Sequence, residues 1–310
     1  MKICTENGLK EALRSFEEGK LNEAQKIIDN LFEEDLDCKE IIFTNRCCTY
    51  WIDSTKRLNA INDRFEQTEY IFSEWKTFQS FISKEKYSYE PAMYSVQKGY
   101  FLMALQKLTA LFDEQDSMEK AEIYKKAGIC YKKLGDFENA KNCLSEANNI
   151  YPHLASVLAE LADCYSLCGE DRYSKVLFRE AFYIAPEFID LDFLDSELIK
   201  CLIKGLEEKG YFGRTLSFWI PVYGAINGIF NIRRELSAQE VCKLKQNIYA
   251  MEMEFKDPDC NDEILIPKLL NNYFWLVDHY VLTKEKVTKI NEILLKIKIL
   301  DNTIYKLYTK

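Results

Sequence analysis

The stretch AEIYKKAGICYKKLGDFENAKNCLSEANNIYPHLASVLAELADCYSLCGEDRYSKVLFREAFYIAP, residues 121–186, contains one pattern written twice. Sliding it by 34 residues lays Tyr131 on Tyr165, Gly135 on Gly169, Ala147 on Ala181 and Pro152 on Pro186. The first copy reads Tyr124-x2-Ala127-Gly128-x2-Tyr131, then Ala140-x3-Leu144; the second reads Leu158-x2-Leu161-Ala162-x2-Tyr165, then Ser174-x3-Phe178. Ala127, Gly128 and Ala162 are small where two antiparallel helices must cross closely, and Tyr131, Tyr165, Leu144 and Phe178 fill the space beside the crossing. Gly135 and Gly169 stand where the first helix of each copy must stop, because glycine accepts the left-handed cap conformation at little cost. Pro152 and Pro186 end the second helix, since proline cannot continue its hydrogen-bond ladder. The stretch therefore predicts four helices in two antiparallel pairs. Such a pair leaves one face unburied and requires stacked neighbours.

The period and these positions resemble the tetratricopeptide repeat (TPR) family. The resemblance implies an all-α chain wound as a right-handed superhelix, an α-solenoid of TPR-type helix pairs, here with a helical C-terminal extension. In that family ligands lie on the concave surface made by the first helices. Carried over by position, this surface comprises Glu122, Lys125, Ile129, Lys132 and Lys133 in the first copy. In the second it comprises Ser156, Ala159, Asp163, Ser166 and Leu167. Family members that clamp a C-terminal carboxylate use Lys and Asn where this chain has Lys125 and Ile129, and a second Asn where it has Glu160. Only the lysine is present, so that clamp is not expected. Lys125, Lys132 and Lys133 around Ile129 instead suggest a basic rim beside an apolar spot, suited to an acidic, partly apolar peptide.

Outward from the repeat the pattern weakens. Residues 1–120 read as degenerate repeats. In 5–35, Ala12 takes the small crossing position, Gly19 the turn, and Leu21, Ala24, Ile28 and Leu31 the second helix. A helix over 39–52, a break at Asp53-Ser54-Thr55 and a long helix over 58–82 follow, the last with a wide apolar stripe of helical period. Pro91 is placed to open a helix, Gly99 to turn it, and Phe101, Ala104, Leu108 and Leu111 to form its partner. After the two clear motifs of 121–188, residues 189–232 read as a further helix pair turning at Gly210, then an apolar connector. Residues 233–310 read as capping helices, with Thr283 a candidate N-cap.

The connector, LSFWIPVYGAINGIF over 216–230, is too apolar for a loop and too broken by Pro221, Gly224 and Gly228 for one long helix. Two expectations follow. Either it is buried and kinked, or Trp219 and Phe230 belong to an exposed docking surface.

Eleven Gly and six Pro in 310 residues leave most of the chain to helical periodicity. A net charge of −9 disfavours nucleic acid as a partner, and the lysines of the last segment scatter around a solvent face. The eleven cysteines are an odd number and sit largely within helical patterns, with Cys130 and Cys164 at equivalent repeat positions as small apolar packing residues. That usage suits a reducing cytoplasm, and neither a signal peptide nor a membrane span is visible. Cys164 and Cys168 are one turn apart without the spacing or histidines of a zinc site. Asp257-Pro258-Asp259-Cys260-Asn261 starts like a calcium loop, but Asp262 stands where glycine is needed, so a solvated turn is expected. Phosphate-loop, dinucleotide, metalloprotease and hydrolase-elbow motifs are absent.

The expectation is therefore a non-enzymatic scaffold or adaptor without cofactor or metal. It would bind a protein or peptide through Lys125, Ile129, Lys132, Lys133, Asp163 and Ser166, or through Trp219 and Phe230 if the connector is exposed. A structural TPR subunit of a large bacterial assembly such as the flagellar motor, and a regulatory sensor with a C-terminal ligand site, are the alternatives.

Overall fold

A computed structural model describes residues 3–258 and 260–310, and among these the regular structure is fifteen α-helices and two short 3-10 turns, with no strand. The chain divides into two compact units, Met1–Ile150 and Tyr151–Lys310. The division falls between the two copies of the repeat, so each copy belongs to a different unit.

In the first unit, α1 (Ile3–Glu17) and α2 (Leu21–Glu34) form the expected pair, with Gly19 at a φ of 72° in the turn. Next come α3 (Lys39–Asn59) and α4 (Arg64–Ile82). The break expected at Asp53-Ser54-Thr55 is not there: α3 runs through it. Ser54 is buried and shares a 3.3 Å hydrogen bond with the Tyr70 hydroxyl, so a residue that looks like a breaker is held inside the helix pair. α3 stops instead at Asn59, with Ala60 as its C-cap, and α4 is started by Asp63, whose carboxylate accepts from the Glu66 amide.

The pair expected around Gly99 is also one helix, α5 (Glu90–Thr109). Gly99 is not a turn but a crossing. A Cβ there would lie 2.0 Å from the backbone oxygen of Phe16, so only glycine lets α5 approach α1 this closely. Glu17 fixes the crossing from one side, accepting from Ser95 Oγ at 3.1 Å and Lys98 Nζ at 2.7 Å. On the other side of α5, Trp51, Trp75 and Tyr100 join α3, α4 and α5 in one aromatic cluster, with Trp51 and Tyr100 centroids 4.0 Å apart. Tyr100 donates its hydroxyl to the Ile71 carbonyl, so its buried polar tip is satisfied.

The first repeat copy closes the unit as α6 (Ser117–Lys133) and α7 (Phe137–Ile150). Asp116 caps α6, and Gly128 meets α7 as its spacing suggested: a Cβ would lie 2.6 Å from Leu144 Cγ and 3.3 Å from the Ala140 oxygen.

The second unit opens with the other copy, α8 (Ala155–Leu167) and α9 (Asp171–Ile184). Two 3-10 turns then lead to α10 (Glu197–Glu207) and α11 (Gly213–Ile226). The remainder is α12 (Ala238–Glu254), α13 (Asp262–Leu282), α14 (Val287–Leu300) and α15 (Asn302–Tyr308). Ser237 and Glu240 form a capping box at the start of α12. Thr283 is the C-cap of α13 and not the N-cap of the next helix; the final helix is instead capped by Asp301. Asp259, third in the calcium-like turn, lies outside the described residues.

Gly99 and Gly128, both buried, should respond differently to alanine. A Cβ at Gly99 meets backbone, which cannot step aside, whereas the closest atoms at Gly128 belong to the Leu144 side chain. Helix propensity returns about 1 kcal/mol per Gly→Ala change, and overpacking costs about 1 to 3 kcal/mol. Gly99→Ala is therefore expected to lower unfolding free energy by about 2 kcal/mol or more, and Gly128→Ala by about 1 kcal/mol or less, in urea titrations. Equal losses would contradict the close α1–α5 approach.

Candidate functional site

The residues singled out from sequence are placed as follows. On α6, Ile129 and Lys132 are buried, at 4% exposure each, and Lys125 is half-buried and ion-paired with Glu122 one turn away. Lys133 is half-buried, and its carbonyl accepts from Gln97 at 2.8 Å. The basic rim around an apolar spot is thus not presented by these side chains. On α8, Asp163 is fully buried, and its two oxygens accept from the backbone amides of Asp195 and Ser196, both at 2.8 Å. Its carboxylate holds the chain leading into α10. Ser166 is half-buried near the end of α8, where its carbonyl accepts from Gly169.

Trp219 and Phe230 are buried as well, at 7% and 2% exposure. The apolar segment is therefore core, but most of it, up to Ile226, is a helix and not a broken connector, for α11 continues through Pro221. After α11 ends, the chain folds back so that the Phe230 amide donates to the Gly224 carbonyl at 2.8 Å. The Phe230 ring then occupies the space a Gly224 Cβ would need, 2.4 Å away, and lies 5.8 Å from the Phe182 ring and 6.4 Å from Phe178. The glycine that seemed to break a helix makes room for an aromatic side chain.

A buried ionic cluster sits beside this core. Asp278 of α13, 6% exposed, accepts from Arg179 of α9 through one oxygen and from Arg233 Nε at 2.8 Å through the other. Arg179 also donates to the Ile232 carbonyl at 3.0 Å and lies 4.5 Å from the Trp275 ring centroid. Tyr308 of α15 approaches Asp278 at 3.5 Å; burial and then this carboxylate push its hydroxyl well above the ordinary tyrosine range. Next in sequence, Arg234 binds both Glu180 and Glu240, the latter at 2.7 Å. Its hydrogen bond holds Glu240 down at about 2, below the ordinary carboxylate value of 4.5.

The Arg234 triad forms one wall of a cleft of about 630 Å³ in this unit, bounded by α9, α11, α12 and α13. Its apolar surface comes from Phe182, Phe218, Met251 and the two helix-embedded prolines, Pro221 and Pro267. A proline ring crowds the carbonyl four residues back and strains the helix there. Both prolines line the gap. Three amides, Asn247, Asn271 and Asn272, and two cations, Lys243 and Lys268, supply the polar surface. Asn271 is 8% exposed, and its Nδ2 reaches only a 3.4 Å contact with the Phe182 carbonyl. Lys268 Nζ lies 4.6 Å from the Phe218 centroid. His153, at a φ of 65°, stands at the edge of the same cleft.

No protein-family model matches the chain, and no curated protein matches it. What the cleft can do is therefore read from its own chemistry. Its amides and ammonium groups can hydrogen-bond a ligand, and its apolar surface can bury one. Among the described residues no cluster of three or more His, Cys, Asp or Glu is arranged to hold a metal. Burial pushes the Cys47 and Cys48 thiols up to about 12, so they stay protonated and pack as small apolar groups. Sequence inspection missed the cleft residues. The signal available was the polar pair Asn271-Asn272 inside the apolar run of α13, with Asp278 further along it.

Two changes test this arrangement. Removing Asp278 leaves Arg179 buried without its counter-ion, so Asp278→Ala should lower stability by about 3 to 5 kcal/mol in denaturant titrations. The Glu240 carboxylate is favoured in the folded state, so its contribution is complete above pH 4.5 and is lost as pH falls toward about 2. The Glu240→Gln protein should show a flatter acid-stability profile in that window than wild type. An identical slope would mean that Arg234 does not hold Glu240 in solution.

Proposed function

We propose that this chain is a non-enzymatic adaptor or scaffold of the TPR type, and that the cleft of its C-terminal unit receives a segment of a protein partner. The observation that carries this reading is the composition of the cleft: three carboxamides beside an apolar wall of aromatic rings and prolines. Carboxamides offer a donor and an acceptor together, matching a peptide group, and apolar walls hold side chains. The 34-residue period and the helix pairs α6/α7 and α8/α9 support the finer fold reading, TPR-type pairs stacked in a right-handed superhelix. Free thiols fit a cytoplasmic setting, and among the described residues no helix is long and apolar enough to cross a membrane.

A sensor of small ligands is the second reading. The cleft volume, about 630 Å³, falls within the range of small-molecule pockets, roughly 300 to 1,000 Å³. Selection from a random peptide display library on the full-length protein separates the two. Ala250, exposed on the α12 wall, can be enlarged without touching the core, so Ala250→Trp plugs the cleft. Enriched peptides that bind wild type and lose binding to Ala250→Trp are expected. Failure to enrich any such peptide, with a metabolite mixture stabilising wild type but not Ala250→Trp against heat, would favour the sensor.

A further inference from the structure

The charged groups of the cleft are not evenly satisfied. Glu180 and Glu240 are both engaged by Arg234. Glu187 stands at the rim shared with a neighbouring depression, where Arg214 lies. Lys243 on α12 and Lys268 on α13 remain, and neither makes an ion pair among the described residues. Lys268 holds its ammonium against the face of Phe218, which places a positive charge beside the apolar wall. Asn271, nine-tenths buried on the same helix, reaches only that 3.4 Å contact to protein through its Nδ2.

We infer that the partner segment is an extended peptide carrying a side-chain carboxylate next to a large apolar residue, the carboxylate bound by Lys243 and Lys268 and the apolar group seated against Phe218 and Pro221. This rests on reading the cleft as a peptide site. Charge decides the rest. Arg234 is taken up by Glu180 and Glu240, so the two lysines are the cations left open to one added carboxylate, with Glu187 the remaining acid of the lining. A phosphate dianion or a nucleic-acid backbone would meet those carboxylates. A basic peptide would meet the two lysines. Amide hydrogen bonds from Asn247 and Asn271, and the Oδ1 of Asn272, whose Nδ2 donates to the Lys268 carbonyl at 2.8 Å, would then hold an extended segment without demanding further side chains.

The test uses oriented peptide pools with random flanks and a fixed central pair: Asp-Leu, Asn-Leu, Lys-Leu, phosphoserine-Leu and Asp-Ser. Each is titrated against the full-length protein at low and moderate salt. A charge-assisted hydrogen bond predicts that the Asp-Leu pool binds roughly tenfold more tightly than Asn-Leu. Asp-Ser should bind more weakly than Asp-Leu, and added salt should shrink the Asp advantage. In the Lys243→Gln, Lys268→Gln double variant the Asp and Asn pools should become equal while Asn-Leu binding is retained. Both lysines are at least partly solvent-facing, and an unchanged thermal unfolding curve checks that the variant is folded. Equal binding of Asp-Leu and Asn-Leu, or preference for Lys-Leu or phosphoserine-Leu, overturns this inference and leaves the peptide reading standing. If no pool binds wild type better than Ala250→Trp, the peptide reading itself fails and takes this inference with it.

Discussion

The C-terminal unit depends on one carboxylate. Asp278 is buried between two arginines and a tyrosine, and its partners come from α9, from the segment before α12 and from α15. Taking these charges out of water is costly, and their attraction offsets the cost only where geometry and hydrogen bonding are good. Both Asp278 oxygens are engaged, while Arg179 also reaches a backbone carbonyl and stacks on Trp275. A cluster like this adds less net stability than an apolar core would, but it fixes which surfaces meet. Here it fixes α13 against α9.

The cleft follows from that fixing. With Asp278 holding Arg179 and Arg233, the next residue, Arg234, is set against Glu180 and Glu240, and α12 starts from a capping box that uses the same Glu240. The aromatic core formed when Phe230 folds onto Gly224 supports α9 and α11 from beneath. Between these supports, the two proline-bearing helices leave a gap that side chains do not fill. The residues lining it come from four helices and the segments between them, so its shape depends on the cluster and the aromatic core together.

How much of this could be read from the sequence differs by kind of signal. Local signals were legible: the 34-residue period gave four helices, and Gly128 is the close crossing its neighbours implied. Glycine and proline were misread where tertiary contacts decide their role. Gly99 has the same local surroundings whether it turns a chain or lets two helices touch; the Phe16 carbonyl that distinguishes the cases is 83 positions away. Pro221 carries a helix-breaking signal, yet α11 continues through it because burial of Phe218, Trp219 and Ile220 outweighs the lost bond. Ser54 looks like a breaker in sequence because its hydroxyl partner, Tyr70, lies on the next helix. The concave-face positions were inferred by analogy, and analogy carries no information on burial: Asp163 bonds to two backbone amides, and Ile129 and Lys132 are covered. The cleft was illegible since Lys243, Asn247, Lys268 and Asn271 form no motif until α12 and α13 pack.

The central claim, that the C-terminal cleft is where this chain meets a protein partner, is tested most directly by site-specific photo-crosslinking in the cells that make the protein. A benzophenone amino acid is placed at Ala250, on the cleft wall, and at Tyr94, an exposed position on α5 in the other unit. The account predicts a discrete adduct at position 250, lost when Asn272 is replaced by tryptophan to obstruct the cleft, and no such adduct at position 94. Adducts at 94 and none at 250, or adducts at 250 indifferent to obstruction, would contradict it.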